Sequence, residues 1–159
     1  MNNTLIEAFL FSILPIAELR GGIPYAIFND IHPLTAYIVC VVANILVFPI
    51  VYFFLEVIHP IFLKISFYKN LFDKIVIRTR KKLELKIERY GFWAIMIFVM
   101  IPLPVTGVYT GTLASWLFDI PKKRSFLSIV LGVIISGLIM TGISLFSSEV
   151  IKDLFIKNL

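Results

Sequence analysis

The chain has 159 residues, 59 % of them apolar and 16 % charged, with a formal net charge of +5 and a mean hydropathy of +0.95. A soluble domain carries about 45–50 % apolar and about 25 % charged residues, so this composition excludes an ordinary soluble fold and points to an integral membrane protein. With one cysteine there is no internal disulfide, and Cys40, in an apolar run, reads as a small core residue.

The N-terminus has no Lys or Arg before its apolar run, carries Glu7 inside it and lacks a small-x-small cleavage pattern, so it does not read as a secretory signal. Leu5 to Ile16 is nearly all apolar but covers only about 18 Å as helix, roughly half of a 30 Å hydrocarbon core. Leu14 to Phe28 then places Glu18, Arg20, Gly21, Gly22 and Pro24 in oily surroundings. A charge in hydrocarbon costs roughly 2.5 kcal/mol or more, and glycine and proline weaken a helix. The stretch is expected to break inside the membrane, facing a protein-lined and partly wet cavity. A re-entrant hairpin fits, in as a half-helix, turning at the glycines and out on the same side. One kinked spanning helix from Leu5 to Phe28 is the alternative.

Pro33 to Ile58 reads as a spanning helix, with Asn44 near its middle and Pro49 as a source of a kink. Asn44 suits an interhelical hydrogen bond or a substrate contact. Glu56 and His59 are expected at the interface. Residues 59–90 hold nine Lys and Arg, and Arg78, Lys82 and Lys86 share one helical face. A basic amphipathic helix on an anionic leaflet is predicted there, with no call for nucleic-acid binding.

Gly91 to Ile101 is again too short to cross upright. It meets a second break running from Pro102 through Pro104, Thr106, Gly107, Tyr109 and Thr110 to Gly111. Leu113 to Phe118 follows, then the basic corner 119–124, then a span from Ser125 to Phe146. That span carries small-xxx-small pairs at Gly132/Ser136 and Gly137/Thr141, which suit bundle packing or a homodimer face. The tail, 149–159, reads as interfacial.

The two halves share one order: short apolar run, Pro/Gly-rich break, short apolar run, Asp-Ile corner, full span. From Pro15 to Pro33 is eighteen residues; from Pro102 to Pro121 is nineteen. Paired interrupted segments at matching places point to a transporter site. The predicted fold is an all-α membrane protein, a single membrane domain over 1–159 and an inverted repeat of hairpin-plus-span units. These are 1–58 and 91–148, joined by the connector 59–90 and followed by the tail. Twelve of the fifteen Lys and Arg then fall on one face, which the positive-inside rule assigns to the cytoplasm, with both termini outside a multi-pass plasma-membrane protein. Four plain helices would separate the two basic segments.

Glu18-Leu19-Arg20-Gly21-Gly22-Ile23-Pro24, Pro102 to Gly111, and Pro121-Lys122-Lys123-Arg124 resemble the family of putative small multidrug export proteins, related to the DedA-type (VTT domain) membrane proteins. Val105 stands where that pattern has glycine. The resemblance covers nearly the whole chain and implies two re-entrant hairpins meeting near the midplane, and transport. The family name implies drug export, whereas DedA-type relatives imply movement of polyprenyl-phosphate lipids. On this basis Arg20 and the Thr106 and Thr110 hydroxyls are expected to hold an anionic head group, and Glu18 to take up and release a proton. Tyr109 lines the cavity or packs. An internal Glu18–Arg20 ion pair holding the break shut is the competing role. No enzyme chemistry, metal or cofactor is expected beyond proton coupling. The expected partners are anionic membrane lipids and an amphipathic or lipid-phosphate substrate. Export of amphipathic cations and a non-transporting scaffold are the alternatives.

Overall fold

The structure, a computed structural model, describes residues 2–70, 72–77, 90–103 and 106–156, with side chains from residue 3 to 147 among them. Every regular element described is helical. Arg78, Lys82, Lys86, Pro104 and Val105, and the predicted amphipathic face with them, lie outside the described residues.

The apolar N-terminal run forms α1 (Asn2–Ile13), and after four residues α2 (Glu18–Phe28) begins. Each covers about half of a hydrocarbon core at 1.5 Å per residue. The chain doubles back between them. Tyr25 donates a hydrogen bond to Glu7 and packs edge-on against Phe11 at 4.9 Å. In a continuous helix residues 7 and 25 would stand about 27 Å apart. The turn lies at Leu14–Ala17 and not at the glycines, which corrects the expectation from sequence. α2 runs unbroken through Gly21, Gly22 and Pro24. The physical reason is packing. A Cβ on Gly22 would lie 2.0 Å from Ser12 Oγ and 2.8 Å from the Ala8 carbonyl, so this glycine lets α1 and α2 touch.

An Asp-Ile corner ends α2. Asp30 takes a left-handed conformation (φ 60°), and the Ile31 amide donates to the Ala26 carbonyl at 3.1 Å. Then α3 (Pro33–Phe53) starts with Pro33 in its first turn and the Leu34 amide bonded to His32 Nδ1. It continues to Phe62 through one π-helical turn, Phe54–Ile58, giving 30 helical residues. Pro60 explains the wide turn: it has no amide for the Glu56 carbonyl and its ring would clash there. The His59 amide reaches back to Phe54 instead. His59 is buried near the end of this long helix, against Tyr68 and Trp116.

The second half repeats the plan with α4 (Phe92–Met100), α5 (Val108–Leu117) and α6 (Lys122–Ile156). A Cβ on Gly111 would lie 2.6 Å from Val99 Cγ2, so α5 also folds back onto α4. Among the described residues the chain is non-helical at 101–103 and 106–107, and Tyr109, Thr110 and Gly111 are helical. Asp119 (φ 52°) and the Ile120 amide bond to the Ser115 carbonyl at 3.0 Å reproduce the Asp30 corner. α6 extends well past the expected end at Phe146.

α3 and α6 run antiparallel. Tyr37 donates to the Ile134 carbonyl, Phe48 contacts Phe126, and Glu56 pairs with Lys122 at 3.1 Å. The two Asp-Ile corners therefore lie at opposite ends of the bundle. The core is aliphatic, with Ile23, Cys40, Val47, Ile95, Val108, Ile129 and Val133 nearly inaccessible. Outside it, Leu34, Ile38, Val42, Leu46, Ile50, Phe53 and Val57 form one exposed apolar stripe along α3. Leu127, Leu131, Leu138, Ile143 and Phe146 do the same on α6. A water-facing surface does not carry stripes of this length; lipid is their solvent. Pro33–Phe62 and Lys122–Ser147 are long and apolar enough to cross a membrane.

Candidate functional site

Two interrupted helices inside an apolar bundle leave backbone groups that must find partners, since water does not reach them freely. At the end of α1 the Ser12 carbonyl accepts from Asn44 Nδ2 of α3 at 2.8 Å, and the Ile13 carbonyl accepts from the Tyr109 hydroxyl of α5. At the end of α4 Thr106 Oγ1 lies 2.7 Å from both the Ile101 and Leu103 carbonyls and accepts from the Leu103 amide at 3.1 Å. Asn44 is thus an interhelical bond that also faces the site, and the Thr106 hydroxyl is engaged within its own loop.

Glu18 opens α2 in a left-handed conformation (φ 47°), uncommon for a residue with a side chain. That backbone aims its carboxylate at the other break. The carboxylate accepts the Tyr109 amide, in the first turn of α5, where free N–H groups and the helix dipole favour negative charge. It also lies against Gly107, where a Cβ would fall 1.9 Å from Glu18 Oε2. Gly107 has φ 140°, a conformation only glycine takes without strain. Among the described residues Glu18 is the one buried acid. Arg20 Nη2 sits 4.0 Å from Glu18 Oε2 and 3.5 Å from the Thr106 carbonyl.

These groups enclose a void with about 10 Å³ of water-accessible volume, the size for one water molecule. Of the residues singled out from sequence, Glu18, Arg20, Asn44, Pro102, Thr106 and Gly107 line it, together with Ser136 and Val133 of α6. Gly21, Gly22, Pro24, Tyr109, Thr110 and Gly111 do not line it. Gly22 and Gly111 are helix-packing positions, and Tyr109 bridges the two breaks from behind. Sequence reading did not single out Ser12 or Val99. A lone serine in an apolar run was the one available signal for Ser12.

Two apolar grooves open to the bundle surface beside the second break. One, about 450 Å³, runs along α4 from Tyr90 and Trp93 to Thr106. The other, about 490 Å³, lies between Ile50, Phe54, Phe72 and the Tyr109–Thr110 turn.

No curated protein and no solved structure matches the chain. A family model described as putative small multi-drug export protein matches residues 18–139, beginning at Glu18 where α2 starts and taking in the second break and most of the last span. This is an export family and not an enzyme family. A buried polar junction between two interrupted helices is a fitting core for such a protein, and with most of its length matched the chain belongs to the family of putative small multi-drug export proteins.

Proposed function

We propose that the protein is a proton-linked carrier of an amphipathic, anionic lipid, built as an inverted repeat of two re-entrant hairpins and two spans. The observation that carries this reading is that both breaks meet at one buried polar void, with Glu18 of the first seated on Gly107 of the second.

The repeat has residue-level support. The shift in number that carries Asp30 onto Asp119 carries Ile31 onto Ile120, Gly22 onto Gly111 and Glu18 onto Gly107. Applied forwards to Phe48 and backwards to Phe126, it turns their contact into the close approach of Gly137 and Tyr37, which is also present. Exchange of contacts in this way is the behaviour of a two-fold axis lying across antiparallel helices. In this reading α1–α2 and α4–α5 enter from opposite faces. The connector and the 119–124 corner face the cytoplasm, both termini lie outside, and Arg78, Lys82 and Lys86 rest on anionic lipid.

A void for one water holds no head group, so the arrangement is read as the shut state. Cargo passes when the breaks part. Arg20 offers a forked, permanently charged donor suited to phosphate, with Thr106 beside it. The apolar grooves reaching Thr106 and Thr110 suit a tail. Glu18, released from the Tyr109 amide, is the proton carrier. A second reading, export of amphipathic cations, is favoured by the family description and by the buried acid.

Purified protein in liposomes, given a prenyl phosphate with a fluorescent tag, tests the proposal. Flux that depends on a pH gradient and is lost in Arg20→Ala, with insertion intact, is expected. Flux of a lipophilic cation that survives Arg20→Ala supports the second reading. A protein that moves neither probe overturns both and leaves a scaffold.

A further inference from the structure

Arg20 and Tyr109 are exchanged by the shift that relates the two halves, and each reaches across to the other half's break. Arg20 donates to the Thr106 carbonyl, in the loop before α5. Tyr109 donates to the Ile13 carbonyl, at the entry to the loop before α2. Between them lies the axial pair Glu18 and Gly107, where there is room for one carboxylate only. Tyr109 is dissimilar to Arg20 in chemistry, and its acceptor Ile13 lies four residues before Ala17, the counterpart of Thr106, yet it too fastens its own half to the break of the other.

We infer that Arg20 and Tyr109 are the two halves of one lock, each fastening the opposite hairpin, and that releasing either opens the void toward a different face of the membrane. Tyr109 is thereby a positioning residue. Its hydroxyl holds the end of α1 against the start of α5, and its amide holds Glu18. The inference rests on the inverted-repeat reading. If two clamps are exchanged by an axis lying in the membrane plane, whatever one exposes to one face the other exposes to the opposite face. A generally loosened bundle gives no such sidedness.

The test uses Cys40→Ala as background and Ser136→Cys as a reporter in the void, labelled by a membrane-impermeant thiol reagent from each side of sealed, oriented vesicles. The background protein is expected to label slowly from both faces. Tyr109→Phe, which keeps the ring, is expected to raise labelling about fivefold from one face, the factor an ordinary lost hydrogen bond gives. Arg20→Gln is expected to raise it from the other; Arg20→Lys, with its different reach, replaces it if Arg20→Gln fails to insert. A rise from the same face in both, a rise from both faces, or a rise in only one variant overturns the lock. Cysteines at Asp30 and Asp119 separate the two failures. If they label from one common face, the inverted repeat itself falls; if from opposite faces, only the lock does.

Discussion

Glu18 is held in an unfavourable backbone conformation by what its side chain touches. A left-handed non-glycine residue costs about 1–3 kcal/mol and persists only where its surroundings fix it. Here the Tyr109 amide and the space over Gly107 do so. Gly107→Ala is therefore expected to be doubly costly, from the clash 1.9 Å from Glu18 Oε2 and from φ 140°. Combining it with Glu18→Ala removes the clash but not the backbone strain. Thermal melts in detergent should accordingly show partial recovery in the double variant; simple additivity would refute the contact. Asn44→Leu leaves the Ser12 carbonyl without its donor. A loss of about 1–3 kcal/mol is expected from an unsatisfied buried group, read by chemical denaturation. Neither partnership was visible in the sequence, where Asn44 had two open roles and Gly107 was one glycine among several.

The helices show why punctuation was easier to detect than to place. Short apolar runs too brief to span were legible as half-helices, because length alone decides that. The second break was legible because Pro102 begins a loop. The first was misplaced: Gly21, Gly22 and Pro24 lower helix propensity just as a break does, but here tertiary contact overrides propensity. A sequence does not say what a missing Cβ makes room for. The same distinction separates the glycines of α6. Gly132 lies under Met96 and Val99, Gly137 under Tyr37 and Val41, while Gly142 faces open space. Gly22→Ala and Gly132→Ala are expected to lower stability by about 1–3 kcal/mol through overpacking. Gly142→Ala is expected to be neutral or mildly stabilising. Melting temperatures of the three single variants decide this, and equal losses would mean that the packing is not as described.

Across the whole molecule, polarity is inverted relative to a soluble protein: apolar stripes lie outside and Glu18, Asn44 and Ser136 inside. The antiparallel pair α3 and α6 forms the frame. The Glu56–Lys122 pair at one end is solvent-exposed and contributes about 0–1 kcal/mol at most. Lys122→Ala is expected to leave the melting temperature nearly unchanged. The frame depends on apolar contact and on glycines at the crossings. It also sets the Asp30 and Asp119 corners at its two opposite ends.

Labelling of those two corners is the most direct test. With Cys40 replaced by alanine, cysteines at Asp30 and Asp119, both exposed, are treated with an impermeant thiol reagent on right-side-out vesicles. Asp30→Cys is expected to label at once and Asp119→Cys only after the membrane is opened. Labelling of both from the same face would contradict the inverted halves, and with them the shared polar junction as a route through the membrane.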